Sequence, residues 1–232
     1  MDLIERASPN FDPRPVDVAL DMLVLHYTGM PSADAALARL GDPASRVSAH
    51  YVIDEDGAVY RMVPEGARAW HAGAAYWRGS TDINARSIGI ELVNPGHEYG
   101  YRPFTEAQMA ALEILASGIL ERHGISPRNV VGHADVAPAR KKDPGELFDW
   151  ARLARAGIGL WPETPATEVE PADIMDPMDA MLARYGYETT DAKRAIEAFQ
   201  RHFRPARVNG RADGETIGRL AGVLALCRRR SA

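Results

Sequence analysis

Between Pro162 and Pro177 the chain reads PETPATEVEPADIMDP. Proline lacks a backbone N–H and fixes φ. Pro162, Pro165, Pro171 and Pro177 therefore exclude both a continuous helix and a central strand across this stretch. The acids and threonines between them complete the composition of an extended linker. The 232 residues thus divide into a long segment, 1–162, a linker, 163–177, and a short segment, 178–232.

The long segment alternates strand-like and helix-like stretches, which predicts an α/β domain. MLVLH, Met22 to His26, is an apolar run suited to a buried strand. Ser32 and Gly41 bracket a helix as cap and stop. SAHYVI and AVYRMV flank Asp54-Glu55-Asp56-Gly57, a hairpin turn in which glycine accepts a positive φ. In SIGIELV, Ile88, Ile90 and Leu92 share one face of a strand, and Gly89, Glu91 and Val93 share the other. Thr105 and Gln108 fit a capping box. The helix they open runs to His123, with Met109, Leu112, Leu115, Ile119 and Leu120 as its apolar stripe and Gly124 as its stop. Val130 to His133 predicts a short strand, and Glu146 to Ala156 another amphipathic helix. The short segment predicts three helices, near 178–185, 191–203 and 214–228.

Composition narrows the chemistry. With 32 acidic and 27 basic residues the chain lacks the basic excess of a general nucleic-acid binder. The single cysteine, Cys227, excludes a disulfide framework and a multi-cysteine zinc site, so a metal here must be held by His, Asp or Glu. No apolar run approaches the ~20 residues a membrane helix needs. The start, MDLIERASPNFDPRP, has no apolar core after a basic end, so the expectation is a soluble cytoplasmic protein, with a periplasmic one as the alternative.

Two of the seven histidines close apolar strands, His26 and His133, and ligand sites gather at such strand ends. Asp143 follows His133 in Arg140-Lys141-Lys142-Asp143-Pro144-Gly145. There Pro144 favours extended backbone at Asp143, and Gly145 permits a sharp turn. Two neutral imidazoles and one carboxylate, with a fourth position open, are the composition of a catalytic zinc site. Taken singly, Asp143 also suits a cap for the helix near Glu146, and Asp135 is either a rival ligand or a turn former. Hydrolysis needs a proton acceptor and a cation. Glu91, ionisable within an apolar strand, is the candidate base. Lys141 is the candidate cation because side chains two apart in extended chain share a face with the ligand Asp143, which turns Lys142 away. His71 and Trp70, adjacent in a loop, are candidate substrate contacts, and His50 either lines the same cleft or packs in the core. His97, His123 and His202 are read as structural or solvated. No His-Glu-x-x-His helix and no Gly-x-Ser-x-Gly elbow is present.

LVLHYTG around His26, RVSAHYVIDEDG, RAWHAG, NARSIGIELVN around Glu91 and GHADVAPARKKDPGELFDWARL occur in this order over residues 22 to 161. Together they resemble the zinc-dependent N-acetylmuramoyl-L-alanine amidases, the amidase-2 group related to peptidoglycan recognition proteins and T7 lysozyme. The resemblance implies a mixed central β-sheet flanked by helices, with zinc on His26, His133 and Asp143, Glu91 as acid/base and Lys141 at the oxyanion. It implies a muropeptide or peptidoglycan substrate cleaved between N-acetylmuramic acid and L-alanine; Asn84 joins His71, Trp70 and His50 as candidate substrate contacts. Arg-Lys-x-Asp-Pro-Gly and Phe-Asp-Trp-Ala-Arg look like the cytoplasmic amidase that recycles 1,6-anhydromuropeptides. His-Tyr-Thr-Gly-Met and the extra C-terminal segment look like the outer-membrane-anchored relative that acts on the wall. AIEAFQRHFRP and NGRADGETIGRL resemble three-helix peptidoglycan-binding-like domains, implying wall docking or, alternatively, a packing domain that no longer binds. A non-catalytic peptidoglycan receptor is the remaining alternative, but such receptors lack part of the ligand set that is complete here.

Overall fold

A computed structural model describes residues 2–162 and 176–229. The expected linker lies almost wholly outside these residues. Eight strands are present among the described residues: β1 (Leu3–Glu5), β2 (Phe11–Pro13), β3 (Met22–Tyr27), β4 (Tyr51–Ile53), β5 (Val59–Arg61), β6 (Ala67–Ala69), β7 (Ser87–Leu92) and β8 (Val130–Gly132). Six form the central mixed sheet in the order β1-β5-β4-β7-β3-β8, and β2 pairs with β6 apart from it. Only the β4–β5 hairpin is antiparallel within the central sheet. It turns at Gly57, whose φ is +88°.

β3 lies inside the sheet between β7 and β8, and its residues from Met22 through Leu25 are all apolar and buried, as a strand covered on both faces must be. Its alternation sends Leu23 and Leu25 into one core and Met22 and Val24 into another. Helix α4 (Glu106–His123; α1, α2 and α3 are Ala33–Gly41, Ile83–Arg86 and Gly96–Tyr99) covers the first face with Met109, Leu112, Leu115 and Ile119. The expected capping box closes it: the Thr105 hydroxyl accepts from Gln108 N–H, and Gln108 Oε1 accepts from Thr105 N–H, each at 3.1 Å. Ser32 caps α1 as expected, its hydroxyl accepting from Ala35 N–H.

The helix expected over Glu146–Ala156 is shorter. After α5 (His133–Val136), α6 spans Trp150–Arg155 and is capped by Asp149. The preceding residues are diverted because the Tyr101 hydroxyl accepts from Leu147 N–H and donates to the Pro144 carbonyl. Asp143 therefore caps no helix there. The three expected C-terminal helices are α7 (Met178–Tyr185), α8 (Ala192–Phe203) and α9 (Gly214–Arg229). They cover the second face of the sheet: Leu182, Phe199, Phe203 and Leu220 share one core with Val24, Val131, Ala134 and Val136. Among the described residues no helix is long and apolar enough to cross a membrane.

Candidate metal centre

Three neighbouring strands end at one place. His26 of β3 is in register with Glu91 of β7, and Leu25 is in register with Gly132 of β8, immediately before His133. A parallel sheet thus sets His26, Glu91 and His133 side by side at its C-terminal edge. Asp143 is tied beside them because its carbonyl accepts from Ala134 N–H at 2.8 Å. Gly145 then turns the chain with φ +86°, where a Cβ would meet the Tyr101 hydroxyl at 2.3 Å.

The three expected ligands converge. His26 Nδ1 and His133 Nδ1 are 2.9 Å apart, and Asp143 Oδ2 is 3.1 and 3.0 Å from them. All three side chains are buried. Their far atoms show which ring nitrogens carry protons. His133 Nε2–H donates to the Ala72 carbonyl at 3.0 Å, which leaves a lone pair on Nδ1. Ser87 donates its hydroxyl proton to the Ile83 carbonyl and so accepts from His71 Nε2–H at 3.1 Å. His71 Nδ1 then accepts from His26 Nε2–H at 3.0 Å, leaving a lone pair on His26 Nδ1 as well. Two lone pairs and a carboxylate oxygen facing one another call for a cation. Their spacing is near the ~3.3 Å edge of a tetrahedron with ~2 Å metal bonds. The residues therefore fit a zinc ion.

Electrostatics agree with that donor set. Burial pushes His26 down to about 4, reinforced by His133, so its ring is neutral at pH 7. Burial pushes Asp143 upward, but His133 and His26 outweigh this and hold it well below the usual carboxylate range. Glu91 is raised well above that range by burial and by Asp143, with Lys141 opposing. Its Oε2 is buried and has no hydrogen-bond partner among the described residues. The centre opens into a cavity of about 600 Å³ that Glu91, Lys141, His71 and Trp70 also line.

Some expectations change in detail. His71 does border the cavity but is 8% exposed and spends both ring nitrogens on His26 and Ser87. His50 and Asn84 do not line the cavity. His50 is fully buried, with Nδ1 accepting from Gly89 N–H and Nε2 against the Ala67 carbonyl and Arg14. Asn84 Oδ1 accepts from His71 N–H and Ala72 N–H and so holds the His71 loop. Lys142, expected to turn away, borders the cavity together with Lys141. Asp135 is not a ligand; its carboxylate accepts from Gly132 N–H. His97, read as structural or solvated, lines the cavity between the Tyr27 hydroxyl and Glu146. The tyrosine immediately after His26 was the one local signal for that wall. His123 pairs with Glu65 away from the centre.

The family described as N-acetylmuramoyl-L-alanine amidase (Amidase_2) matches residues 14–146, which hold every residue of the centre. The chain belongs to this family. It is 42% identical over 226 residues to the N-acetylmuramoyl-L-alanine amidase AmiD of Escherichia coli (strain K12), covering 85% of this chain and 79% of that protein. It is 36% identical over 163 residues to the 1,6-anhydro-N-acetylmuramyl-L-alanine amidase AmpD of the same organism, covering 63% and 87%. Among solved structures, the AmiD complex with anhydro-N-acetylmuramic acid-L-Ala-D-gamma-Glu-L-Lys superposes with a TM-score of 0.78 at 39% identity over 92% of each chain. AmpDh3 of Pseudomonas aeruginosa with anhydromuramic pentapeptide also gives 0.78, at 30% identity over 92% of this chain and 95% of that one. Amidase relatives thus share the C-terminal helices as well as the sheet.

Proposed function

We propose that this amidase uses zinc to hydrolyse the amide between N-acetylmuramic acid, in its 1,6-anhydro form, and the L-alanine of a stem peptide, in muropeptide recycling. The observation that carries this reading is the convergence of His26 Nδ1, His133 Nδ1 and Asp143 Oδ2 within 3.1 Å, beside the unpartnered carboxylate oxygen of Glu91. Two relatives bound to anhydromuropeptides support the substrate class.

His26, His133 and Asp143 would hold the ion. When bound, zinc lowers the pKa of water and polarises a carbonyl oxygen. Glu91 takes a proton from the attacking water and returns it to the leaving alanine nitrogen; burial raises its basicity for the first step. Lys141 places a positive charge where the carbonyl oxygen becomes negative. His71 keeps His26 in the tautomer that presents Nδ1, and Trp70 forms one wall for the sugar or peptide.

The test presents soluble anhydromuropeptide and intact sacculi separately to zinc-loaded protein and follows released stem peptide by mass spectrometry. A chelator-treated sample is the control. Cleavage of the soluble substrate alone, abolished by the chelator, is expected. Efficient cleavage of sacculi would instead favour a wall-acting amidase. Chelator-resistant cleavage would sink the metal assignment.

A further inference from the structure

The C-terminal helices resemble a docking domain, yet their inward face is occupied. Ala195, Ala198, Phe199 and Phe203 of α8 have no exposed surface and pack in one core with Val131, Ala134 and Val136. α8 therefore lies directly against α5, the turn that starts at His133. A polymer could reach this face only by displacing the catalytic sheet.

At that contact sits Asp135, which is 1% exposed. Its carboxylate accepts three hydrogen bonds. One comes from Gly132 N–H at 2.7 Å and closes the turn that presents His133. The other two come from the C-terminal segment: His202 Nδ1–H at 2.7 Å, and the Tyr187 hydroxyl. His202 Nε2 is buried without a partner among the described residues, so the ring proton belongs on Nδ1, facing Asp135. The His202 ring is also stacked on Trp150, with centroids 3.7 Å apart. Trp150 Cζ2 in turn lies 3.3 Å from where a Cβ on Gly132 would stand. That same position is 3.4 Å from Asp135 Oδ2 and 2.7 Å from Pro144 Cδ, so Asp135 and Trp150 both pack against Gly132, and His202 touches both.

We propose that the C-terminal segment is a working part of the metal centre, in which His202 and Tyr187 are positioning residues that set His133 through Asp135. This rests on the metal-centre reading above. A buried carboxylate deprived of two of its three donors cannot turn to water. It must leave Gly132 N–H for another donor, and the turn carrying one of the three ligands loosens. Outer partners of ligating groups commonly carry a tenfold to hundredfold effect on metal affinity.

The experiment measures the zinc dissociation constant of the full chain by competition with a chromophoric chelator, well below the melting temperature. The variants are His202→Ala, His202→Gln and Tyr187→Phe. Leu220→Ala, in the same C-terminal core but on α9, which supplies none of the donors to Asp135, controls for loss of stability alone. His202→Ala is expected to weaken zinc binding about tenfold to a hundredfold. Tyr187→Phe, which removes one hydroxyl and leaves the ring to pack, should weaken it to a smaller extent. His202→Gln, which keeps an N–H donor, should recover part of the loss, and Leu220→Ala should melt earlier with zinc affinity unchanged. Wild-type affinity in both His202→Ala and Tyr187→Phe overturns the proposal, as does an equal loss in Leu220→Ala. If His202→Ala does not fold, Tyr187→Phe alone decides in the same terms. A wild-type chain that binds no zinc overturns the metal centre itself, and this inference with it.

Discussion

Gly89 leaves the room that the His71 ring occupies. A Cβ built on Gly89 would stand 2.5 Å from His71 Cγ and 2.7 Å from Nδ1. The backbone at Gly89 is ordinary β-strand, so alanine brings no conformational strain of its own. Reaching a normal 3.4 Å contact requires the ring to move by about 0.9 Å. The bonds from His71 to His26 and Ser87 are 3.0 and 3.1 Å long, and a displacement of that size breaks at least one of them. Gly89→Ala should therefore cost about 1–3 kcal/mol of stability through overpacking. It should also weaken zinc binding about tenfold to a hundredfold, or ~1.4–2.8 kcal/mol, through the lost support of His26. Chelator competition reads the second term and thermal melting the first. The decisive comparison is the His71→Ala background, where the ring and the clash are both gone. There Gly89→Ala should change zinc affinity by less than ~0.5 kcal/mol. An equal cost of Gly89→Ala in both backgrounds, or a destabilised variant with undiminished zinc affinity, would refute the reasoning.

Glu91→Gln preserves shape but cannot accept the proton. It should bind zinc stoichiometrically while turnover falls by about 10²–10⁴, and normal turnover in a folded variant would remove Glu91 from the mechanism. His50 gives a separate pH signature. Burial and Arg14 depress it to about 3, so the folded state keeps it neutral while the unfolded chain protonates near 6.5. Its contribution is therefore intact above pH 6.5 and is lost progressively as pH falls from there towards 3. His50→Gln, less stable at pH 8, should close the gap to wild type by roughly 2 kcal/mol between pH 7 and pH 5. Parallel stability–pH curves for the two proteins would contradict this assignment. Thr105→Ala removes the hydroxyl half of the α4 capping box and should lower stability by about 1 kcal/mol in denaturant titration without altering zinc affinity.

The elements that proved legible in the sequence are those whose causes lie within a few residues. The Thr105–Gln108 box, the Gly57 turn, the alternation that puts Glu91 opposite Ile88, Ile90 and Leu92, and the boundaries of α7 to α9 all follow from local periodicity and capping. The candidate ligands were legible because two histidines closed apolar strands, and such ends converge in any sheet of this kind. The helix at Glu146 was misread because a hydroxyl from Tyr101, 46 residues away, takes the N–H of Leu147. His97 was misplaced for the same reason: a distant carboxylate sets its direction.

By itself, then, the sequence determined the kinds of elements, their order and the set of groups able to hold an ion, because backbone preference and side-chain chemistry are local properties. Only tertiary packing decided the protonation pattern of His26 through His71 and Ser87, the placement of His50 and Asn84 behind the cavity wall, and the meeting of Asp135 with His202. Each of these is a buried polar group finding its partner. Which partner it finds depends on what the folded sheet and helices bring within 3 Å, a distance unrelated to separation along the chain.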